Sequence, residues 1–355
     1  MTSQVRRYGF INAKLRARLT KLIDEHLIEQ LIDAPTLEDA LIFLRNTPFS
    51  AIESLYTRAG DLKAGELELF KQEIDLYREL EKYLEGEVLD MIRALALYGE
   101  IENVKNGLRL FFDHTYRGRD IEEAALFLYP HRIEHAIDAV RLAHAHNLDE
   151  AVQLLAESPY GQIVDRHRES IESGQSLFQV EIALDQYYYN NLIEKAGVLN
   201  KRDKRITLRL IGIEIDLLNI SWIIRFRNFY RLPQETVLRL AIPHGHTIDQ
   251  DTLSEVYASE NITRILQGII TKKYPSLAVF LSSEAGDTNS RILLIEQVLD
   301  HILMLEVRRI LSGYPFSIGI ILAYFILKRR DIRRIGTVLN AKQYNLKKER
   351  IRDIF

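Results

Sequence analysis

One pattern occurs three times in this chain at intervals the size of a whole domain, and any fold must accommodate that. The clearest copy lies in residues 214–230, EIDLLNISWIIRFRNFY. An acid opens the pattern at Glu100, Asp216 and Asp331. Three residues on stand Asn103, Asn219 and Arg334, followed by Val104, Ile220 and Ile335 and then by Leu108, Ile224 and Leu339. Asp216 follows Glu100 by 116 positions, and Asp331 follows Asp216 by 115. Solenoid repeats recur every ~20–50 residues, so this spacing points instead to one domain written three times, in residues 1–115, 116–230 and 231–355.

A second marker divides the chain in the same way. Thr36 is placed as a helix N-cap with Asp39 three residues on, and Leu37, Ala40, Leu41 and Leu44 follow at helical spacing up to the turn Thr47, Pro48, Phe49. The same arrangement returns with Asn147 as cap, then Leu148, Ala151, Val152 and Leu155, closed by Ser158, Pro159 and Tyr160. A weaker version starts at Asn261 and ends at Tyr274 and Pro275. Asp75 and Tyr77 correspond to Asp185 and Tyr187, and Glu181 with Asp185 to Glu296 with Asp300. Residues 197–205, rich in Asn, Lys, Arg and Asp, read as a solvated loop.

Ile211, Ile213, Ile215 and Leu217 alternate as a half-buried strand would. The other copies arbitrate, because Ile332, Ile335, Val338 and Leu339 have helical spacing and the first copy continues the helical pattern of residues 88–97. The reading is therefore an all-α protein of three helical domains, whose middle motif helix is apolar nearly all round because it is buried. The most apolar run, IGIILAYFIL at 318–327, is ten residues, half of the ~20 that span a bilayer. It reads as a buried helix. Without a signal-peptide pattern, the chain is expected to start in the cytoplasm.

Chemistry is constrained more by what is missing. The 355 residues contain no cysteine, which removes disulfides, thiolate metal sites and thiol nucleophiles. A formal net charge of -3 does not favour a sequence-tolerant nucleic-acid binder. No phosphate-cradling Gly-rich loop and no G-x-S-x-G occur. His131, Glu134 and His135 spell H-x-x-E-H, which on a helix would set two His one turn apart for zinc with Glu134 as base. With no third ligand pattern downstream, the segment reads as a helix start after Pro130, and a zinc peptidase is the alternative. The pairs His144/His146 and His244/His246 stand two apart, which on a helix does not converge on a metal. The basic run Lys328, Arg329, Arg330, Arg333, Arg334 reads as a solvated face, and Tyr187 to Tyr189 as core.

With its markers in this order, the chain resembles the C subunit of archaeal and bacterial A/V-type ATPases, the counterpart of the eukaryotic vacuolar ATPase d subunit. The resemblance covers nearly the whole length. It rests on Tyr8, Asn12, Ala13, Leu15 and Arg16, on the Thr36 to Thr47 helix, on Glu181 to Tyr187, on Glu214, Asp216, Asn219, Ile220 and Arg225, and on Pro315, Phe316, Ala323, Tyr324, Asp331 and Ile351. It implies a funnel of three similar domains with pseudo-threefold symmetry. Such a protein is a rotor coupler, not an enzyme, with no cofactor and no bound metal. It sits on the cytoplasmic face of the membrane between the central stalk subunits and the rotor ring of proteolipid subunits, and transmits torque for proton or sodium transport. Under that reading the motif copies line an axial socket, with Asn103, Asn219, Arg225 and Arg334 facing the stalk, and Arg16, Arg18, Lys328 and Arg330 facing the ring. A free-standing helical scaffold is the second alternative.

Overall fold

The computed structural model describes residues 3–174, 176–259, 262–277 and 288–352. Among them are helices and turns and no strand. In chain order the helices are α1 (Ser3–Leu19), α2 (Glu25–Asp33), α3 (Leu37–Phe43), α4 (Ala51–Ala59), α5 (Lys63–Glu81), α6 (Gly86–Arg117), α7 (Glu122–Ala125), α8 (Ala139–Ala143), α9 (Leu148–Leu154), α10 (Pro159–Arg166), α11 (Arg168–Glu172) and α12 (Phe178–Gly197). They continue with α13 (Lys201–Arg225), which runs into a π-helical turn over Phe226–Tyr230, then α14 (Gln234–Leu240), α15 (Gln250–Ala258), α16 (Ile262–Lys273), α17 (Thr288–Ser312), α18 (Gly319–Gln343) and α19 (Lys348–Arg352). Three times a group of short helices is followed by two long ones: α2–α4 then α5 and α6, α8–α11 then α12 and α13, α14–α16 then α17 and α18.

The chain forms two compact units. One is built on residues 196–326 with the N-terminal helix up to residue 16, and the other on residues 17–195 and 327–352. In the first, α13 packs along α17, and its Leu210, Ile211, Ile213, Ile215, Ile220 and Ile224 are buried, so the period-two run of isoleucines lies in a stretch of helix, 206–224, with no exposed residue. In the second, Ile28, Leu31, Leu41, Leu44, Phe49 and Ile52 of the first short group share a core with Ile335, Val338, Leu339 and Ile351 from the other end of the sequence. The apolar run at 318–327 is the buried opening of α18.

The caps behave as their chemistry requires. Thr36 accepts from the Asp39 N–H and Asn147 from the Glu150 N–H, satisfying amides that the first helical turn leaves without partners. The third cap, Asn261, lies outside the described residues. Of the 197–205 segment only residues 198–200 are loop, and Lys201, Arg202, Lys204 and Arg205 are exposed on the first turns of α13 while Asp203 is buried. Asn200 caps α13, and Asp203, 1% exposed, accepts from the Tyr8 hydroxyl at 2.7 Å and the Ile318 N–H at 3.0 Å. Within a polar run that is otherwise solvent-facing, Asp203 is thus the joint fixing α1 and the start of α18 to α13. Residues 131–135 are likewise irregular chain rather than a helix start, so His131 and His135 are not one helical turn apart.

Candidate functional site

The three motif copies lie on the long helices α6, α13 and α18, and in each the opening acid is buried. A carboxylate in a protein interior requires donors, and in the first two copies these include backbone amides of a loop further along the chain. Glu100 accepts through Oε2 from the N–H groups of Glu134 and His135, both at 2.7 Å, and through Oε1 from the Tyr160 hydroxyl at 2.8 Å. The His135 ring Nδ1 lies 2.6 Å from the same Oε1, and that hydrogen bond raises the imidazole pKa above its ordinary value. Asp216 does the same for the loop before α15, accepting from Thr247 N–H at 2.7 Å and Ile248 N–H at 3.2 Å. Burial pushes Asp216 up to about 7, against the opposing pull of those amides.

Three residues on, one helical turn along the same face, the asparagine completes the fastening. Asn103 donates to the Tyr129 carbonyl at 2.9 Å and accepts from the Tyr129 N–H at 3.0 Å. Asn219 makes the same pair with Ile242, both at 2.8 Å. A primary amide suits this position because one side chain supplies donor and acceptor side by side and so pairs with one extended residue as a neighbouring strand would. Each held residue precedes a proline, Pro130 or Pro243, which disfavours helical backbone there. An apolar residue, Pro and His stand in both loops, at 129–131 and 242–244, and the carboxylate-bound amides come five and six residues after the held residue. Those tripeptides were the sequence signal that could have revealed the partner of the motif.

Glycine makes the second copy possible. A Cβ on Gly245 would lie 2.2 Å from Asp216 Oδ1 and 2.5 Å from the Ile248 carbonyl. One on Gly212, a turn before Asp216, would lie 2.9 Å from the His246 N–H that donates to the Gly212 carbonyl at 3.1 Å. Burial, helped by Lys273 and Arg209, lowers the His246 pKa to about 4.

The third copy reaches the other way along the chain. Asp331 accepts from the Ile23 N–H at 3.0 Å, in the turn that leads into α2. Arg334, in the asparagine position, forms two hydrogen bonds with Glu25, one at 2.9 Å from Nη1. The first and third motifs therefore fasten the lead-in to a group of short helices, the second fastens the loop between α14 and α15, and the last motif in the sequence fastens the first group. Lys342 adds to this by donating to the Ile32 carbonyl at 2.6 Å and to the Ala34 carbonyl, at the C-terminal end of α2, where orphan carbonyls attract a cation.

The remaining singled-out residues are dispersed. Arg225 is exposed at the end of α13 and Arg330 is half-buried. Arg16 is exposed and bonds Asn12 and the Leu311 carbonyl, while Arg18 grips both oxygens of Glu79 at 2.6–2.7 Å. The basic run is not a solvated face. Lys328 is buried with its ammonium 3.8 Å from the centre of the Phe49 ring, and burial lowers its pKa to about 8. Arg329 pairs with Glu73 at 2.7 Å and stacks 3.9 Å from the Tyr98 ring, and only Arg333 of the run is exposed. Tyr188 and Tyr189 are buried, as core. Where H-x-x-E-H would place two zinc ligands, the His135 ring and both backbone amides are committed to Glu100. Carboxylates held in this way by their own chain are fasteners, not general acids or bases.

The profile of the ATP synthase (C/AC39) subunit family matches residues 11–354. Among curated proteins, the A-type ATP synthase C subunit of Methanocaldococcus jannaschii is 23% identical over 98% of this chain and 86% of its own length. The C subunit of Methanosphaera stadtmanae is 24% identical over 95% and 84%, and that of Pyrococcus abyssi 20% over 98% and 90%. The chain belongs to the ATP synthase (C/AC39) subunit family.

Proposed function

We propose that this chain is a non-catalytic subunit of a rotary A/V-type ATPase, a coupler between the central stalk and the membrane rotor ring of proteolipid subunits. The observation that carries the reading is the family match from residue 11 to residue 354, joined by relatives named as the C subunit of A-type ATP synthases over nearly the whole chain. In this reading the protein works peripherally, on the cytoplasmic face, as three helical domains around a pseudo-threefold axis. It is supported by the absence, among the described residues, of any helix long and apolar enough to cross a membrane, and by the threefold recurrence of the fastening. A body that transmits torque must not unwind between its modules, and buried carboxylate and amide clamps at each junction supply that stiffness. Asn103, Asn219 and Arg334 serve the socket by holding its wall together, and the exposed Arg225 offers a direct contact to the stalk. Arg16, Arg18 and Arg330 are the charges offered to the ring, and Lys328 stiffens the helix that bears Arg330.

The test is purification of the tagged full chain from detergent-solubilised membranes of its source, followed by mass spectrometry. Stalk and proteolipid subunits of a rotary ATPase should come with it in fixed ratio. Recovery of the chain alone, with the ATPase intact in another fraction, would refute the reading. Crosslinkers placed at Arg225 should capture stalk subunits, and charge reversal at Arg16 should weaken retention on the ring as salt is raised.

A further inference from the structure

Within the unit built on residues 196–326, α13 and the end of α17 border a cavity of about 340 Å³ whose chemistry the clamps do not use. Its lining includes four guanidinium groups, from Arg202, Arg205, Arg209 and Arg309, and one carboxylate, Glu306. Three of the arginines come from α13 at positions i, i+3 and i+7, one face of one helix. Like charges in such register repel one another by a few tenths of a kcal/mol per pair, so the row has a cost that a structural role would avoid.

The single carboxylate is already taken. Glu306 is buried, with Arg209 at 3.1 Å, Arg309 at 3.8 Å and the Tyr274 hydroxyl at 3.3 Å. Arg202 sits over the Tyr314 ring, 4.2 Å from its centre, and has no carboxylate within ion-pair distance among the described residues. Arg205 is exposed and has no carboxylate within ion-pair distance among the described residues. Three formal positive charges thus remain unmatched around one small concavity. One carboxylate fits one guanidinium fork, as Glu306 shows. An anion able to satisfy several forks at once needs two or more charges and several acceptor oxygens on one centre, and that is phosphate chemistry.

We propose that this cavity binds a phosphate-bearing anion of two or more charges, held by Arg202, Arg205 and Arg309. Such a group has two sources, a soluble di- or polyphosphate and the headgroup of a phosphomonoester lipid, and the shared chemistry is the same. The test uses the purified full chain. Titration calorimetry with inorganic pyrophosphate at 50 mM salt reads the soluble source, and co-sedimentation with vesicles of phosphatidylcholine containing phosphatidic acid reads the lipid source. Saturable binding in either assay, at least tenfold weaker in R202Q/R205Q and unchanged in R141Q, an exposed arginine elsewhere, is the expected result. Pyrophosphate binding alone assigns a soluble ligand, and sedimentation, with or without pyrophosphate binding, assigns the headgroup. Circular dichroism that matches wild type keeps the loss from being one of folding, and R309Q, on the other helix, should reproduce it. No binding in either assay, or equal loss in R202Q/R205Q and R141Q, overturns the proposal.

Discussion

Replacing Asn219 with alanine isolates one clamp without touching a partner surface. Among the described residues, the Asn219 amide is the only side chain that pairs with both the N–H and the carbonyl of Ile242, and both residues are nearly inaccessible, at 1% and 2% exposure. Truncation leaves two buried backbone groups orphaned at about 1–3 kcal/mol each, or about 2–6 kcal/mol together. A water admitted into the vacated space would move the loss toward the lower figure. At 1.4 kcal/mol per tenfold, amide exchange of the 241–249 loop should accelerate by between about thirtyfold and about twenty-thousandfold. Hydrogen exchange followed by mass spectrometry reads this peptide by peptide, and the 128–135 loop, held by Asn103, is the internal control. Asn103→Ala should reverse the two. The third position should behave differently, because the Glu25 side chain that meets Arg334 is 73% exposed and such a pair contributes only about 0–1 kcal/mol. Unchanged exchange of residues 241–249 in Asn219→Ala would refute the idea that the amide holds the loop.

Two further outcomes follow from the same site. Because the folded Asp216 titrates near 7, well above its ordinary value, the folded state holds a proton that the unfolded chain has lost between about pH 4 and 7. This group's contribution is therefore complete below pH ~4 and is lost as pH rises to about 7. Urea unfolding across that window should show wild type losing stability relative to Asp216→Asn, and parallel pH profiles would contradict the assignment. Gly245→Ala should destabilise the loop by about 1–3 kcal/mol, since its Cβ has no room beside Asp216 and the Ile248 carbonyl. Gly268→Ala, within α16 with nothing within 4 Å, should stabilise by about 0.5–1 kcal/mol in thermal melts.

The all-helical class was legible because the repeat let the well-patterned copies speak for the ambiguous one. Ile211 to Leu217 alone would pass for a strand, and only equivalence with Ile332 to Leu339 gave the period away. The caps at Thr36 and Asn147 were legible for a similar reason, since an N-cap is satisfied within three residues and its whole chemistry is local. What the motif touches was not. The bonds of Glu100 and Asn103 to backbone close 26 to 35 residues away and that of Glu100 to Tyr160 closes 60 away, those of Asp216 and Asn219 close 23 to 32 away, and Asp331 reaches back across 308. Polarity misled wherever a charged residue was buried with a partner from a distant segment. Asp203 with Tyr8 and Arg329 with Glu73 are joints in the structure, although composition places both in solvent. The arginine row of α13 was hidden by its spacing, because residues 202, 205 and 209 do not form a run in the sequence and converge only on a helix.

The reach of Asp331 to Ile23 also sets an order of events during synthesis. Emerging chains fold from the N-terminus as segments clear the ribosome, and the first two carboxylates meet their loops soon after they appear. The turn before α2 is made 308 residues ahead of its carboxylate, and the Ile335, Val338 and Leu339 that complete the core over α2 and α3 come later still. The segment that forms α2 and α3 must therefore wait, incompletely buried, for α18. A truncated product remains marked by an open apolar face, and only a chain translated through α18 can hide it.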